Sequence, residues 1–382
     1  MATISDFPPE ILEQIFAFLV PEHGWPTPDP KLAPMLLCGV CATWRGVALS
    51  MPQFWSSLHV PEHAPHVAEN WIPLSRGWLA RASGRPISLS LQNTHSLLEL
   101  PITEFYRGLN VVRLRLFDPS HASFETLFSD PPPRLSSLHI YKPHPYSAWC
   151  PPLGWNKTLA LDEFIVSGSY KPPPIHLLPI AWAGLTRLHL GQSGTFTMLC
   201  MLVARCTALE SLYFRILDNN AGRELSTPAH TLPRLTTLTI IGSNEFAAFL
   251  STFAMPALTS LTLGSSTGKA ISPPAALRAL HGLGYLAPSL ARLSMEIVLE
   301  PELHFPALDR FPHLADLCVC FDADFLQALV DSPQHLSNLP RLGLVHDSRD
   351  SEPATGALKE LTRARPELRV DVIANLNSCE KV

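Results

Sequence analysis

Apolar residues recur along most of this chain in one order: an apolar residue, two variable residues, an apolar residue, one variable residue and a final apolar residue. Ten copies of this triplet begin at positions 111, 135, 161, 185, 209, 235, 258, 290, 314 and 339. All but one of the intervals measure 23–26 residues, and the remaining one measures 32. The last two apolar residues of a copy are two positions apart, so in a β-strand both point to the same face. The pattern predicts one short strand in each copy and a parallel sheet of stacked copies.

The segments between the predicted strands favour helices in several copies. Asn244–Leu250 and Ala323–Val330 each follow a strand and carry apolar residues at helical spacing. A proline commonly precedes the next strand, where it ends a helix and favours extended backbone. These prolines are Pro133, Pro233, Pro256, Pro288 and Pro312. The chain is therefore expected to alternate strands with helices or loops, which is an α/β fold.

The N-terminal part of the chain lacks this repeat and shows a helical pattern instead. Phe7–Leu19 opens with two prolines, which suit a first helical turn, and continues with apolar residues on one side of a helix. A proline-rich connection, Val20–Met35, leads to a second helical segment at Leu36–Ala48. The closing segment is Phe54–Leu58. A helical module is thus predicted in front of the repeats.

The repeat resembles the leucine-rich repeat in both pattern and period. The N-terminal motifs resemble, in order, those of the F-box family: Phe7–Leu12, Ile15–Leu19, Val40–Arg45 and Phe54–Leu58. The combination looks like the large F-box families of mushroom-forming fungi. The resemblances imply an F-box-like module of three helices at 1–60 and a linker or first helical cap at 61–85. They also imply a leucine-rich-repeat solenoid at 86–372 and a C-terminal tail at 373–382. In such a solenoid the parallel strands line a curved inner face. An ordinary α/β sheet with leucine-rich strands is the alternative.

The resemblance to the F-box family also implies a function. An F-box docks on the Skp adaptor of an SCF-type ubiquitin ligase, which connects it to a cullin scaffold, and the downstream repeats bind the client protein. The positions carried over to form or support the adaptor-facing surface are Phe7, Pro8, Pro9, Ile11, Leu12, Ile15, Phe16, Val40, Cys41 and Trp44. The connection Val20–Met35 is longer than the family's usual turn, so docking depends on whether it crosses this surface. Alternatively, these residues only pack the module onto the first repeat.

The strand residue between the last two apolar positions of each copy should point to the exposed face of the sheet. With flanking residues of the same parity, the early copies place arginine, histidine and tyrosine there, whereas the middle copies place threonine and serine. Arginine pairs with carboxylate or phosphate through its forked guanidinium, and tyrosine gives large rigid contacts. We therefore expect an acidic or phosphorylated client segment to bind across Arg113, Arg115, His139, Tyr141, Arg187, His189, Tyr213 and Arg215. A solvated strand face with scattered charges is the simpler interpretation.

Composition removes several other classes of function. The 382 residues carry a net charge of −5, with a pI near 6.3, which does not indicate binding to nucleic acid or to an anionic membrane. The first residues lack a basic region before an apolar stretch, so no secretion signal is predicted. Four of the eight cysteines lie in apolar, patterned segments, which favours a cytoplasmic or nuclear protein over a disulfide framework.

Motifs for metal binding or catalysis are weak. Cys38 and Cys41 form a CxxC pair, but zinc needs two further ligands at suitable spacing and the nearby sequence offers none. His63 and His66 are a lone pair in a proline-rich segment. The sequence therefore predicts no metal, no cofactor and no catalytic residue. Three functions are considered: a substrate receptor of an SCF ligase, a scaffold whose F-box-like helices no longer dock, and a ligase with its own nucleophilic cysteine.

Overall fold

A computed structural model describes residues 7–19, 25–61, 68–92, 103–119, 121–142, 157–168, 175–216, 230–242, 246–265, 273–320, 323–345 and 353–373. Within these residues the chain has an α/β fold with a large parallel sheet of 13 strands. The chain divides into two compact units, Met1–Ala181 (unit 1) and Trp182–Val382 (unit 2). Of the 13 strands of this sheet, five belong to unit 1 and eight to unit 2.

Unit 1 begins with three helices, α1 (Pro9–Ala17), α2 (Met35–Val40) and α3 (Ala42–Ser50). Pro9 lies in the first turn of α1, where no backbone donor is needed, and Glu10 lies near the positive end of that helix. Cys41 caps α3, because its Sγ accepts a hydrogen bond from the Trp44 amide at 3.5 Å. The rings of Phe16 and Trp44 meet edge to face with centroids 4.9 Å apart, which joins α1 to α3.

The described strands of the unit 1 sheet are β1 (Ser57–Val60), β2 (Ile87–Gln92), β3 (Val111–Phe117), β4 (Ser137–Lys142) and β5 (Glu163–Gly168). Strands that are consecutive in the chain are hydrogen-bonded neighbours and run parallel. The connecting helices are α4 (Ala68–Leu79), α5 (Thr103–Tyr106) and α6 (His121–Ser129). Strands β3 to β5 are the first three predicted copies, whereas β1 and β2 fall outside the predicted set.

The sheet begins inside the segment predicted to be the helical module, because β1 lies at residues 57–60. Trp55, Leu58 and Val60 are buried and have the same spacing as the apolar triplet of the later copies. Trp55 Nε1 donates to the carbonyl oxygen of Ala48 at 2.9 Å, which connects α3 to the start of the sheet. The predicted linker at 61–85 contains α4, and only residue 373 of the predicted tail lies in the described part.

The described strands of unit 2 are β6 (Arg187–Gly194), β7 (Ser211–Ile216), β8 (His230–Thr231), β9 (Thr237–Gly242), β10 (Phe253–Ala254), β11 (Ser260–Ser265), β12 (Arg292–Val298), β13 (Asp316–Cys320), β14 (Arg341–Val345) and β15 (Arg369–Ile373). The short β8 and β10 pair with each other, and the rest belong to the parallel sheet. The helices are α7 (Phe196–Val203), α8 (Phe246–Thr252), α9 (Pro273–Leu286), α10 (Pro301–Leu308), α11 (Ala323–Asp331) and α12 (Pro353–Ala364). Helices α8 and α11 confirm the two predicted helical segments, although Asn244 lies outside the described residues.

The apolar triplets of all ten predicted copies are buried, and each copy contains a strand. In unit 2 the middle residues of the triplets align in register, so that Leu261 lies between Leu238 and Leu293. The ladder continues to Leu317 and Leu342. Burying one such leucine stabilises the fold by roughly 1.5–3 kcal/mol. The periodic leucines therefore account for the buried side of the sheet and leave the other side of each strand to other residues.

Candidate functional site

The apolar stripe of α1 is divided between the core and the surface. Leu12 and Phe16 are fully buried, whereas Ile11 and Ile15 are 38% and 40% exposed. The exposed pair is four residues apart, so these two side chains share one side of the helix. Phe7, two residues before the helix, is also exposed. We call Ile11 and Ile15, with Phe7 in front of them, the exposed stripe of α1. A small helical module that leaves this much apolar surface uncovered has the character of a docking surface.

Further apolar residues of the module are exposed, one directly after α1 and two on α2. Phe18, directly after α1, is 90% exposed. Leu36 and Val40 lie four residues apart on α2 and are both exposed, while Leu37 between them is buried. Helix α2 therefore repeats the division seen in α1, with one apolar side facing the core and the other facing solvent.

The structure divides the ten predicted adaptor-binding residues into three groups. Six are exposed: Phe7, Pro8, Pro9, Ile11, Ile15 and Val40. Leu12 and Phe16 belong to the core of the module and can only support a surface. Cys41 and Trp44 are half-buried, and they cap α3 and contact Phe16 as described above. The periodicity of α1 does not separate the exposed residues from those of the core, because all of these positions are apolar.

The proline-rich connection after α1 contacts the sheet of unit 1. The carbonyl oxygen of Pro26 accepts a hydrogen bond from the backbone amide of His59 in β1 at 2.8 Å. Trp25 lies further over the polar face and lines a pocket of about 230 Å³ together with Arg113, Arg115 and His139. The described part of the connection is thus fixed to the sheet at these two residues, whereas residues 20–24 lie outside the described part.

The four client-binding residues predicted in unit 1 lie on its polar face. Arg115 and His139 are partners in the register of β3 and β4, and Phe117 is the partner of Tyr141. The guanidinium of Arg115 lies over the Phe117 ring at 4.4 Å, and the rings of Phe117 and Tyr141 are 5.2 Å apart. Arg113 is exposed beside them. The structure therefore brings Arg113, Arg115, His139 and Tyr141 together as predicted from strand parity.

Two features give the pocket of unit 1 its electrostatic character. Burial lowers the pKa of Arg115, and its Nε is buried without a hydrogen-bond partner among the described residues. Glu163 places a carboxylate in the same pocket, where the hydroxyl of Ser137 donates to its Oε2 at 2.6 Å. The pocket combines cations with one carboxylate, so an anionic ligand would have to approach from the side of the arginines.

Sequence reasoning missed His59 and Trp25. The ring nitrogens of His59 lie 2.9 Å from the Ser90 hydroxyl and 3.2 Å from Gln92 Oε1, so this histidine belongs to the polar face of β1 and β2. Burial lowers its pKa, although the hydrogen bond with Gln92 raises it. The strand of His59 lies inside the segment that the sequence predicts to be the helical module, so strand parity does not place His59 on the polar face. Trp25 sits in a proline-rich segment that carries no periodic signal.

The four client-binding residues predicted in unit 2 occupy the polar side of β6 and β7. His189 and Tyr213 are register partners, and their rings stack with centroids 3.9 Å apart and an interplanar angle of 10°. Arg187 is exposed, and Arg215 is half-buried with its Nε lacking a hydrogen-bond partner among the described residues. These residues form a second group, which lies on the polar face of unit 2.

Beyond β7 the polar face of unit 2 changes from large side chains to small hydroxyl side chains. A groove of about 670 Å³ runs from His189 and Tyr213 past Thr239 and Thr262 to Asp316. At that end Arg292 Nε lies 3.2 Å from the Asp316 carboxylate, and Arg341 lies 3.5 Å from the same oxygen. The alternation of arginine and aspartate continues to Asp371, which Arg341 and Arg369 also contact.

Within the described residues no metal-binding group of side chains is found, and three cysteine thiols have a raised pKa. In the described parts of the chain no three His, Cys, Asp or Glu side chains are grouped so that they could hold a metal ion, and His63 and His66 lie outside those parts. Burial raises the pKa of Cys200 and that of Cys206 to about 12, so both thiols are poor nucleophiles at neutral pH. Burial also raises the pKa of Cys38. Across the described ranges, none of the helices is both long and apolar enough to cross a membrane.

No model of a known protein family matches the chain, and no curated protein matches it in sequence.

Proposed function

We propose that this protein is the substrate-recognition subunit of an SCF-type ubiquitin ligase. Its three N-terminal helices act as an F-box that docks on a Skp-type adaptor, and through it on a cullin scaffold. Its repeats form a leucine-rich-repeat solenoid whose polar face binds the client protein. The chain itself supplies binding only, in the cytoplasm or the nucleus, because the ubiquitin chemistry belongs to its partners.

One observation carries the docking half of this proposal. The exposed stripe of α1, together with Val40 on α2, leaves large apolar side chains uncovered while Leu12 and Phe16 already fill the core. The stripe is therefore not needed to hold the module together, and its exposure is explained by a protein partner. The position of Pro26 against β1 supports the same interpretation, since the described start of the long connection contacts the sheet.

The client half rests on the side chains of the polar faces. Arg113, Arg115 and His139 in unit 1 surround a pocket that could receive a carboxylate or a phosphate. His189 and Tyr213 in unit 2 offer a rigid aromatic surface. We propose that an acidic or phosphorylated client segment uses these groups. The alternation of buried leucines with such variable polar positions supports recognition rather than catalysis.

A binding experiment with a purified Skp-type adaptor tests the docking half. The full chain is compared with the double variant Ile11→Asp, Val40→Asp by titration with the adaptor. Two buried carboxylates without partners at an interface should lower the affinity by at least about a hundredfold. Both positions are exposed in the free chain, so the fold should be unchanged, which circular dichroism checks.

Met201→Asp is the matched control, because Met201 is an apolar residue of α7 in unit 2 with an exposure similar to that of Val40, 61% against 54%. It should bind the adaptor like the wild type. Failure of the wild-type chain to bind adaptor homologues would sink the ligase proposal and favour a scaffold whose helices serve another partner.

A further inference from the structure

The groove on the polar face of unit 2 has a floor of hydroxyl groups. Thr239, Thr262 and Ser294 occupy equivalent positions on β9, β11 and β12 and are partners in the strand register. A second row, two residues earlier on each strand, contains Thr237 and Ser260. All five side chains line the same groove of about 670 Å³. This size is in the range of sites that bind ligands rather than of packing defects.

The ends of the groove are formed by larger groups. The stacked rings of His189 and Tyr213 stand at one end. The ion pair of Arg292 with Asp316 stands at the other. Because Thr239, Thr262 and Ser294 are much smaller than these groups, the strand face sinks between them, and the depression follows directly from the side-chain sizes along the register.

A second observation points to a ligand in this groove. Ser294 is only 4% exposed, and its hydroxyl oxygen is buried without a hydrogen-bond partner among the described residues. A buried hydroxyl without a partner is unfavourable, and buried polar groups in native proteins are nearly always paired. A ligand that lies on the floor beside Thr262 and offers a donor or an acceptor would satisfy it once the Ser294 side chain rotates toward the groove.

We infer that this groove binds an extended, uncharged polypeptide segment of about seven residues. The lining extends from β6 to β13, which is five steps across neighbouring strands at roughly 4.8 Å each, or about 24 Å. An extended chain covers that distance with about seven residues at roughly 3.3 Å each. The inference deepens the client half of the proposed function and rests on it, since this uncharged segment would be a part of the client other than its acidic or phosphorylated segment.

The chemistry of the floor selects this ligand class. A hydroxyl group can rotate to donate to a backbone carbonyl or to accept from a backbone amide, so threonine and serine suit a peptide backbone. The Asp316 carboxylate is already paired with Arg292 and Arg341, which leaves no charge on the floor itself to compensate a buried charged residue of the ligand. Sugars are the competing class, and the test below includes them as an alternative ligand.

The test uses the purified full chain and a displayed library of random twelve-residue peptides, with no adaptor present. The wild type is used for selection, and the variant Thr262→Trp, which fills the groove, removes peptides that bind elsewhere. Selected peptides are then titrated against the wild type and the double variant Thr239→Val, Thr262→Val. Valine preserves the shape of threonine but removes the hydroxyl, so we expect the double variant to bind at least about tenfold more weakly.

Thr362→Val is the matched control, because it removes a threonine hydroxyl outside the groove lining. The Thr362 hydroxyl donates to the backbone carbonyl oxygen of Leu358 on α12. Its affinity should equal that of the wild type. The inference is overturned if selected peptides bind the valine double variant or Thr262→Trp as tightly as the wild type. It is also overturned if a panel of oligosaccharides, but no peptide, distinguishes the wild type from Thr262→Trp. Because no adaptor takes part, failure here leaves the docking proposal standing, and loss of adaptor binding leaves this result unchanged.

Discussion

The polar faces of the two units use the same strand positions for different chemistry. In unit 1 the register partners Arg115 and His139 are long and basic, and Trp25 covers part of their pocket. In unit 2 the equivalent positions of β11 and β12 hold Thr262 and Ser294, which form an open groove. The buried sides do not differ in this way, since both consist of periodic apolar residues. The comparison indicates that one side of each strand fixes the fold, whereas the other can change its binding chemistry without loss of the fold.

The largest effect on stability should come from a substitution on the buried side of a strand, compared with one at the neighbouring residue on the polar side. Leu261 and Thr262 are neighbours on β11, but the first is fully buried and the second lines the groove. Leu261→Ala removes buried methyl groups and leaves a cavity, which should cost about 2–5 kcal/mol of unfolding free energy. Thr262→Ala should cost less than about 1 kcal/mol. Urea unfolding of both variants, followed by circular dichroism, measures the difference. Equal costs would show that the two sides of the sheet do not have separate roles.

The ten predicted strands show how much of the fold the sequence encodes. Their triplets can be found from the sequence because burial of the first, middle and last apolar residue imposes the same spacing in every copy. Strand β1 has this spacing as well, at Trp55, Leu58 and Val60. Its residues also overlap the segment Phe54–Leu58, which resembles a motif of a helical module and is therefore not predicted to be a strand. In β2 the first apolar position is taken by Pro86, so the triplet is incomplete. Local pattern thus identified strands, but it did not locate the start of the sheet.

The candidate sites were less accessible to sequence reasoning, for physical reasons. Strand parity placed Arg115 and His139 on one face correctly, because a strand alternates strictly. Helix periodicity could not tell which apolar residues of α1 face solvent, since this depends on the contact of Phe16 with Trp44 in another helix. The contribution of Trp25 depends on a long-range contact of an irregular segment, and such a contact leaves no periodic trace in the sequence.

A substitution at Trp25 should have an intermediate effect and would make the face of unit 1 more like that of unit 2. Trp25→Ala removes one wall of the pocket beside Arg113 and Arg115. Because the ring is only half-buried, we expect a loss of about 1–2 kcal/mol, below the cost for a fully buried tryptophan. Arg115 should become more accessible, so phenylglyoxal should modify it faster, as followed by mass spectrometry. The control Leu177→Ala, at an exposed apolar residue of the same unit, should leave that rate unchanged. An unchanged rate in Trp25→Ala would mean that the ring does not shield the arginine.

The smallest effect concerns pH and distinguishes the two faces through His59. Burial and the nearby charge of Arg115 lower the pKa of His59 in the folded chain below its ordinary value of about 6.5, although the hydrogen bond with Gln92 raises it. The unfolded chain therefore binds the proton more readily, and stability that is present above pH 6.5 is lost as the pH falls toward the folded pKa. His59→Gln should reduce the dependence of the unfolding free energy on pH between about 5 and 7, measured by urea unfolding at each pH.

The exposed His313 of unit 2 provides the comparison for this measurement, since His313→Gln changes the number of histidines equally. We expect His59→Gln to change the slope more, because His59 is the one that is held beside Ser90 and Gln92 on β1 and β2. If both variants change the slope alike, the hydrogen bonds of His59 with Ser90 and Gln92 compensate for its burial. The polar face of unit 1 would then be as insensitive to protonation as the hydroxyl floor of unit 2, where Thr239, Thr262 and Ser294 do not titrate over this pH range.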